Sequence, residues 1–202
     1  MKIKTKIPVL LIAFRFILAP VILALAYFFP ENGKAIIVVL MYFGLISDIL
    51  DGIIARHFNV ATAKLRRLDS QVDMIFWLAV AFSAWILFPQ PIRNNSIPVI
   101  LIFVMEAMCY AVSFIRFGKE PCTHSFLAKM WGITLLIAFT SLIGFGVAGI
   151  PLLITIVSGL LSHIDRILIL LILPEWTHDI PSAYHAILIR KGIEFRKNKL
   201  FN

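Results

Sequence analysis

Two pairs of aspartates stand close together in a chain that is otherwise strongly apolar. Asp48 and Asp51 are three residues apart, and Asp69 and Asp73 are four residues apart. If both segments are helical, each pair lies on one face of its helix. Four carboxylates beside lipid repel one another and are costly to desolvate, and divalent cations would relieve both costs. Because Mg²⁺ takes oxygen ligands and bridges carboxylates to phosphate, the pattern predicts metal-assisted chemistry on a phosphorylated substrate.

A plainer interpretation of the acids is a set of cytoplasmic helix-capping carboxylates paired with Arg56, Arg66 and Arg67. A single acid at a membrane boundary would favour that interpretation. Here Gly52 and Ala55 follow the first pair at helical spacing, and the glycine allows a ligand to approach the backbone closely. Four acids combined with these small residues favour a chemical role.

The composition of the chain is that of a membrane protein. Of its 202 residues, 60% are hydrophobic and 15% charged, and the mean hydropathy is +0.94. A soluble domain has nearly half apolar and about a quarter charged residues. We therefore expect an all-α polytopic protein with one membrane domain over residues 1–174.

Six apolar stretches are long enough to cross the hydrocarbon layer, which takes about 20 helical residues. Prolines and glycines separate them along the chain. The predicted spans are residues 7–29, 34–55, 73–92, 97–116, 130–149 and 151–173.

The basic residues predict the orientation of these spans. Most of the lysines and arginines fall in the N-terminal segment, after the second and fourth spans, and in the C-terminal segment. By the positive-inside rule, both termini and the acidic segment are cytoplasmic, in a bacterial-type inner membrane or its equivalent. The net charge of +8 would then face anionic head groups and phosphorylated solutes, so nucleic acid is not an expected partner.

The last segment, residues 175–202, is basic and also contains apolar residues such as Ile187 and Ile189. It is predicted to be a cytoplasmic tail. Two interpretations stay open for it: a short helix on the membrane surface, or a frayed segment that only sets orientation.

Other charged residues lie near or within the predicted spans. Arg116 and Lys129 sit at the cytoplasmic ends of spans four and five and could bind an anionic acceptor molecule. They could equally be ordinary positive-inside residues. Intramembrane ions are usually paired, so Arg15 with Glu106, or Arg166 with an acid of the cavity, are candidate pairs.

The acidic segment resembles the signature of the CDP-alcohol phosphatidyltransferase family, D-x2-D-G-x2-A-R-x8-G-x3-D-x3-D. The chain matches it at every position but one, since Leu65 stands where the family has its second glycine. The residues that match are Asp48, Asp51, Gly52, Ala55, Arg56, Asp69 and Asp73. The stretches IPVLLIAFRFILAP and RFGKEPCTHSFLAKMWG are similar to family segments more weakly.

The resemblance implies six transmembrane helices around a polar cavity that opens to the cytoplasm. Asp48, Asp51 and Asp69 would bind two divalent cations, Mg²⁺ or Mn²⁺, with Asp73 as a further ligand and the general base. The cations would hold the pyrophosphate of a CDP-linked lipid such as CDP-diacylglycerol, and a small hydroxyl acceptor would displace CMP.

The resemblance also implies a nucleotide-binding region formed by Asp48, Gly52, Ala55, Arg56 and position 65. The family glycine lies close to the nucleotide, so Leu65 predicts an altered nucleotide pose. The basic cluster around Arg116 and Lys129 favours an anionic acceptor. A homodimer is expected by resemblance.

Three other functions remain candidates from the sequence. A membrane prenyltransferase also uses paired aspartates and Mg²⁺, but such enzymes usually have more than six spans. A cation- or proton-coupled transporter would place its acids at the midplane and show repeated halves, which this chain does not. A relative that binds the donor without turnover is the third candidate, because of Leu65.

Overall fold

The computed structural model describes residues 2–58, 60, 62–121, 125–177 and 180–193, without the side chains of residues 2–5, 56 and 63. Within these ranges the regular structure is entirely helical, as predicted. The helices are α1 (Lys2–Phe28), α2 (Gly33–His57), α3 (Ala63–Leu87), α4 (Pro89–Asn94), α5 (Ser96–Phe117), α6 (Phe126–Phe139), a π-helix (Thr140–Gly144), α7 (Gly149–Ile172) and α8 (Ala183–Arg190).

Six helices are long and apolar enough to span a membrane, which confirms the predicted number. Their candidate spans are Lys6–Phe28, Gly33–Ala55, Lys64–Leu87, Ser96–Phe117, Phe126–Gly144 and Gly149–Ile172. Most of their side chains are not buried against the protein, since at most 39% of any span is buried. The outward apolar side chains suit contact with lipid tails.

The third span begins earlier than the sequence predicted, near residue 64 instead of 73. Thr62 caps α3, and its hydroxyl accepts a hydrogen bond from the backbone N–H of Leu65 at 3.2 Å. The first turns of α3 are rich in charged residues, so apolar stretches in the sequence do not indicate where this helix begins. Asp69 and Asp73 therefore both lie inside α3.

The chain forms two compact units. The first comprises Met1–Pro91 and Phe139–Val147, and the second comprises Ile92–Ala138 and Ala148–Asn202. The first unit thus holds α1, α2, α3 and the π-helix. The second holds α5, α7, α8 and nearly all of α6.

In the first unit, α1 packs along both α2 and α3. Its buried positions recur at intervals of three or four residues, as expected for one face of a helix, and include Ile12, Arg15, Ala19, Ile22 and Ala26. Arg15 is the charged residue of this otherwise apolar series, and it is fully buried. The main packing face of the unit thus carries a cation near its middle.

Helices α2 and α3 touch where a glycine faces an aromatic ring. A Cβ atom on Gly44 would overlap the ring of Phe76, which is itself 1% exposed. Gly44 precedes Asp48 by four residues, and Phe76 follows Asp73 by three. This close contact therefore sets the separation of the two helices one turn away from the acids.

In the second unit, α7 buries one face that contains several polar residues, including Thr155, Ser162, His163 and Asp165. The end of α7 is capped by the guanidinium group of Arg116, whose Nη1 donates to the carbonyl oxygen of Leu170 at 2.7 Å and also to that of Leu171. Carbonyls at a helix C-terminus lack partners within the helix, so a cation there is stabilising.

The predicted tail contains α8, which packs in the second unit. Ala186 is fully buried with Ile169, Leu173 and Ile180. The backbone N–H of Ala183, at the start of α8, donates to Asp165 Oδ1 at 2.9 Å. Residues 194–202 of the predicted tail lie outside the described part of the chain.

Replacing Gly44 by alanine should destabilise the first unit, because the added Cβ displaces the buried ring of Phe76. We expect a loss of about 1–3 kcal/mol, typical of an overpacked core. Gly132→Ala is the matched control, since no atom lies within 4 Å of its added Cβ. Thermal unfolding in detergent measures both variants, and equal stability of the two would contradict the account of this contact.

Candidate metal centre

The four aspartates of the sequence pattern come together in the first unit. Asp48 and Asp51 lie in the last turns of α2, and Asp69 and Asp73 lie in the first half of α3. Each pair is on one face of its helix, as the spacing of three and four residues predicted. The side chain of Asp51 is only 4% exposed, whereas those of Asp48, Asp69 and Asp73 are 36%, 33% and 39% exposed.

Arg15 of α1 connects all four carboxylates. Its Nη1 donates to Asp48 Oδ1 at 2.5 Å and to Asp73 Oδ1 at 3.3 Å. Its Nη2 donates to Asp69 Oδ1 at 3.0 Å and also to Asp51 Oδ2. Each terminal nitrogen therefore joins one acid of α2 to one acid of α3, and we call these five residues the Arg15 cluster.

The carboxylates of this cluster also suit a divalent cation. Asp48, Asp51 and Asp69 each offer an oxygen atom, and these atoms lie within 4.8 Å of one another. Carboxylate oxygens are the ligands that Mg²⁺, Mn²⁺ and Ca²⁺ prefer. The donor set thus fits the group that the sequence pattern suggested. Asp73 lies outside this closest set but shares Arg15 with it.

The residues expected near the nucleotide lie on the same two helices. Gly52 and Ala55 follow Asp51 on α2, with Gly52 half-buried and Ala55 buried. Leu65 is half-buried on α3 and precedes Asp69 by one turn. The backbone of Arg56 belongs to α2, but its side chain lies outside the described part of the chain.

The second unit carries a separate polar cluster. Arg166 of α7 forms a bidentate pair with Glu106 of α5, with Nη1 to Oε2 at 2.5 Å and Nη2 to Oε1 at 3.2 Å. Arg166 therefore has an acidic partner, as predicted, and that partner is Glu106. The alternative pairing of Arg15 with Glu106 is wrong, since Arg15 instead meets four carboxylates within its own unit.

His163 completes this second cluster. Its Nδ1 lies 2.6 Å from the carbonyl oxygen of Gly159, and its Nε2 lies 2.9 Å from Glu106 Oε2. A carbonyl oxygen only accepts, so Nδ1 carries a proton in this contact. The contact at Nε2 then requires a second proton, on His163 or on Glu106.

The two residues expected at the acceptor differ in their surroundings. The guanidinium of Arg116 is held at the C-terminus of α7, where Nη2 also donates to Leu173 O at 3.2 Å. Lys129 is exposed in the first turn of α6. Sequence reasoning missed both the helix-capping contact of Arg116 and the partners of Arg15. The place of Arg15 on a regularly spaced apolar face of α1 was the signal that could have revealed its burial.

Comparisons with known proteins agree with the arrangement of the acids. The sequence model described as CDP-alcohol phosphatidyltransferase matches residues 5–173, which include every residue of the Arg15 cluster. No curated protein and no solved structure gave a match to the chain. Because the matched region covers most of the sequence, the chain belongs to the CDP-alcohol phosphatidyltransferase family.

Proposed function

We propose that the protein transfers a phosphatidyl group from a CDP-linked lipid, such as CDP-diacylglycerol, to a small hydroxyl acceptor and releases CMP. The observation that carries this proposal is that carboxylate oxygens of Asp48, Asp51 and Asp69 lie within 4.8 Å of one another, close enough to bind one metal ion together. Family membership places the chain among transferases of substituted phosphate groups, which are generally dependent on divalent cations. The donor, the acceptor and the cation are the proposed parts.

We assign the metal-holding role to Asp48, Asp51 and Asp69, with Asp73 as a further ligand. Two bound cations, Mg²⁺ or Mn²⁺, would neutralise the charge that develops on the attacking and leaving oxygens. Gly52 and Ala55 leave space on α2 for the nucleotide and its diphosphate. Arg56 would pair with phosphate, and Leu65 would border the nucleotide.

Asp73 is the proposed general base. It lies one turn beyond Asp69, and its side chain is 39% exposed, so it is open to a small molecule. A carboxylate within hydrogen-bond reach of the acceptor hydroxyl could take its proton as the oxygen attacks phosphorus. The bond from phosphorus to the CMP oxygen would break in the same displacement.

The proposed acceptor is anionic, and Arg116 and Lys129 are its proposed binding residues. Lys129 is exposed at the start of α6, which supports this role. Arg116 already donates hydrogen bonds to three backbone carbonyls at the end of α7. Binding an acceptor would therefore be a second role for this side chain, in addition to capping the helix.

The proposal includes a setting for the enzyme. The basic residues support an integral inner-membrane protein whose site and termini face the cytoplasm, with a polar cavity opening on that side. The membrane domain would cover residues 1–174 and the basic tail residues 175–202. A homodimer is expected from the family.

Purified protein in detergent, supplied with CDP-diacylglycerol and Mg²⁺, should release CMP when the correct acceptor is present. Glycerol 3-phosphate, serine, inositol, inositol phosphate and choline form a suitable panel, and CMP is measured chromatographically. EDTA should stop release, and Mg²⁺ or Mn²⁺ should restore it. Binding of CDP-diacylglycerol without CMP release in the presence of any of these compounds would point to an acceptor outside the panel or to the relative that binds without turnover. Absence of both binding and release would overturn the proposal.

Asp69→Asn and Asp73→Asn should separate cation binding from proton transfer. Both substitutions should lower kcat by at least about 100-fold, the lower range for loss of a general base. Asp69→Asn should also weaken Mn²⁺ binding strongly and Asp73→Asn should weaken it less, because Asp48, Asp51 and Asp69 form the closest oxygen set. Calorimetry measures Mn²⁺ binding, and Glu31→Gln in the same unit is the control for carboxylate loss. Near-normal turnover by Asp73→Asn would exclude its role as base.

A further inference from the structure

One side chain already uses oxygen atoms of every acid in the proposed metal centre. Arg15 is fully buried, and it donates to Asp48, Asp51, Asp69 and Asp73 through two terminal nitrogens. A divalent cation held by these carboxylates must therefore share them with a fixed positive charge. No described acid of the first unit other than these four is bonded to Arg15.

Arg15 has two opposite effects on the binding of a cation to the four carboxylates. The two terminal nitrogens of its guanidinium hold acids of α2 beside acids of α3, so the carboxylate ligands are already positioned before a cation binds. Its charge also repels a cation at close range, and this repulsion is strong where water is excluded. The two acid pairs are already placed by the packing of α2 on α3 through Gly44 and Phe76, so the ordering effect is partly redundant. Repulsion should therefore dominate.

We propose that Arg15 is a built-in counter-ion that competes with the divalent cation and lowers its affinity for the centre. This inference rests on the proposed metal-dependent function and assigns Arg15 a positioning role within it. Arg15 keeps the four acids together without a cation, and a bound cation would share these carboxylates with the guanidinium.

Arg15 contributes a specific contact geometry as well as a charge. Nη1 joins Asp48 to Asp73, and Nη2 joins Asp51 to Asp69, so each nitrogen links α2 with α3. A lysine has three N–H donors on a single nitrogen, so it cannot reproduce four contacts that are divided between two nitrogens. Arg15→Lys should therefore keep the repulsion and lose part of the cross-linking.

The test measures Mn²⁺ binding and thermal unfolding of the full chain in detergent, with and without EDTA. Arg15→Met should bind Mn²⁺ at least about tenfold more tightly than the original protein, because a nearby positive charge is removed. It should also unfold at a lower temperature in EDTA, and Mn²⁺ should restore more of its stability than it does for the original protein. Arg15→Lys should retain the original Mn²⁺ affinity within about threefold, as its charge is kept.

Lys6→Met provides the matched control, since Lys6 is an exposed cation of the same helix and belongs to no described bond with the acids. It should leave both measurements unchanged. Unchanged or weaker Mn²⁺ binding by a folded Arg15→Met would overturn the competition. If that variant does not fold, tighter binding by Arg15→Lys than by the original protein would overturn it instead. Failure of the original protein to bind Mn²⁺ would contradict the metal centre itself, which separates the two proposals.

Discussion

Four carboxylates can lie together among apolar helices because a single buried guanidinium group contacts all of them. Arg15 would be costly to bury alone, and the acids would repel one another without it. The guanidinium and the carboxylates therefore neutralise one another where α1 meets α2 and α3. Removing one member of such a buried network typically costs about 3–5 kcal/mol, because it leaves an uncompensated charge.

The rest of the first unit supports this arrangement by bringing three helices close together. Small and apolar residues occupy the buried face of α1 on either side of Arg15, and Gly44 lets α2 approach Phe76 of α3. The acids lie one to two turns from that contact, where α2 and α3 approach their connection. The centre is consequently built from residues of a single unit, whereas the pair formed by Glu106 and Arg166 stabilises the other.

Much of this could be predicted from the sequence, because the signals were local. The spacing of Asp48, Asp51, Asp69 and Asp73 predicted two acidic helix faces, and apolar stretches of sufficient length predicted six spans. The start of α3 was misplaced because charged residues fill its first turns. Apolar periodicity does not detect such a segment, although the capping residue Thr62 marks the start of the helix.

The ion pairs were harder to predict because they depend on which helices pack together. Arg15 and Glu106 were candidate partners for each other, and a single sequence does not reveal that they belong to different units. The cap that Arg116 provides for α7 is likewise a contact between distant parts of the chain. The roles of the individual site residues remain proposals for the same reason, since they depend on where ligands bind.

The most direct test of the metal centre is the anomalous diffraction signal of Mn²⁺ in crystals of the protein grown with Mn²⁺. The account predicts a peak within about 2–2.5 Å of carboxylate oxygens from Asp48, Asp51 and Asp69, the range for hard cations. It also predicts that the Arg15 guanidinium makes fewer contacts with those oxygens. A peak elsewhere, or none at saturating Mn²⁺ with the acids still bonded to Arg15, would contradict it.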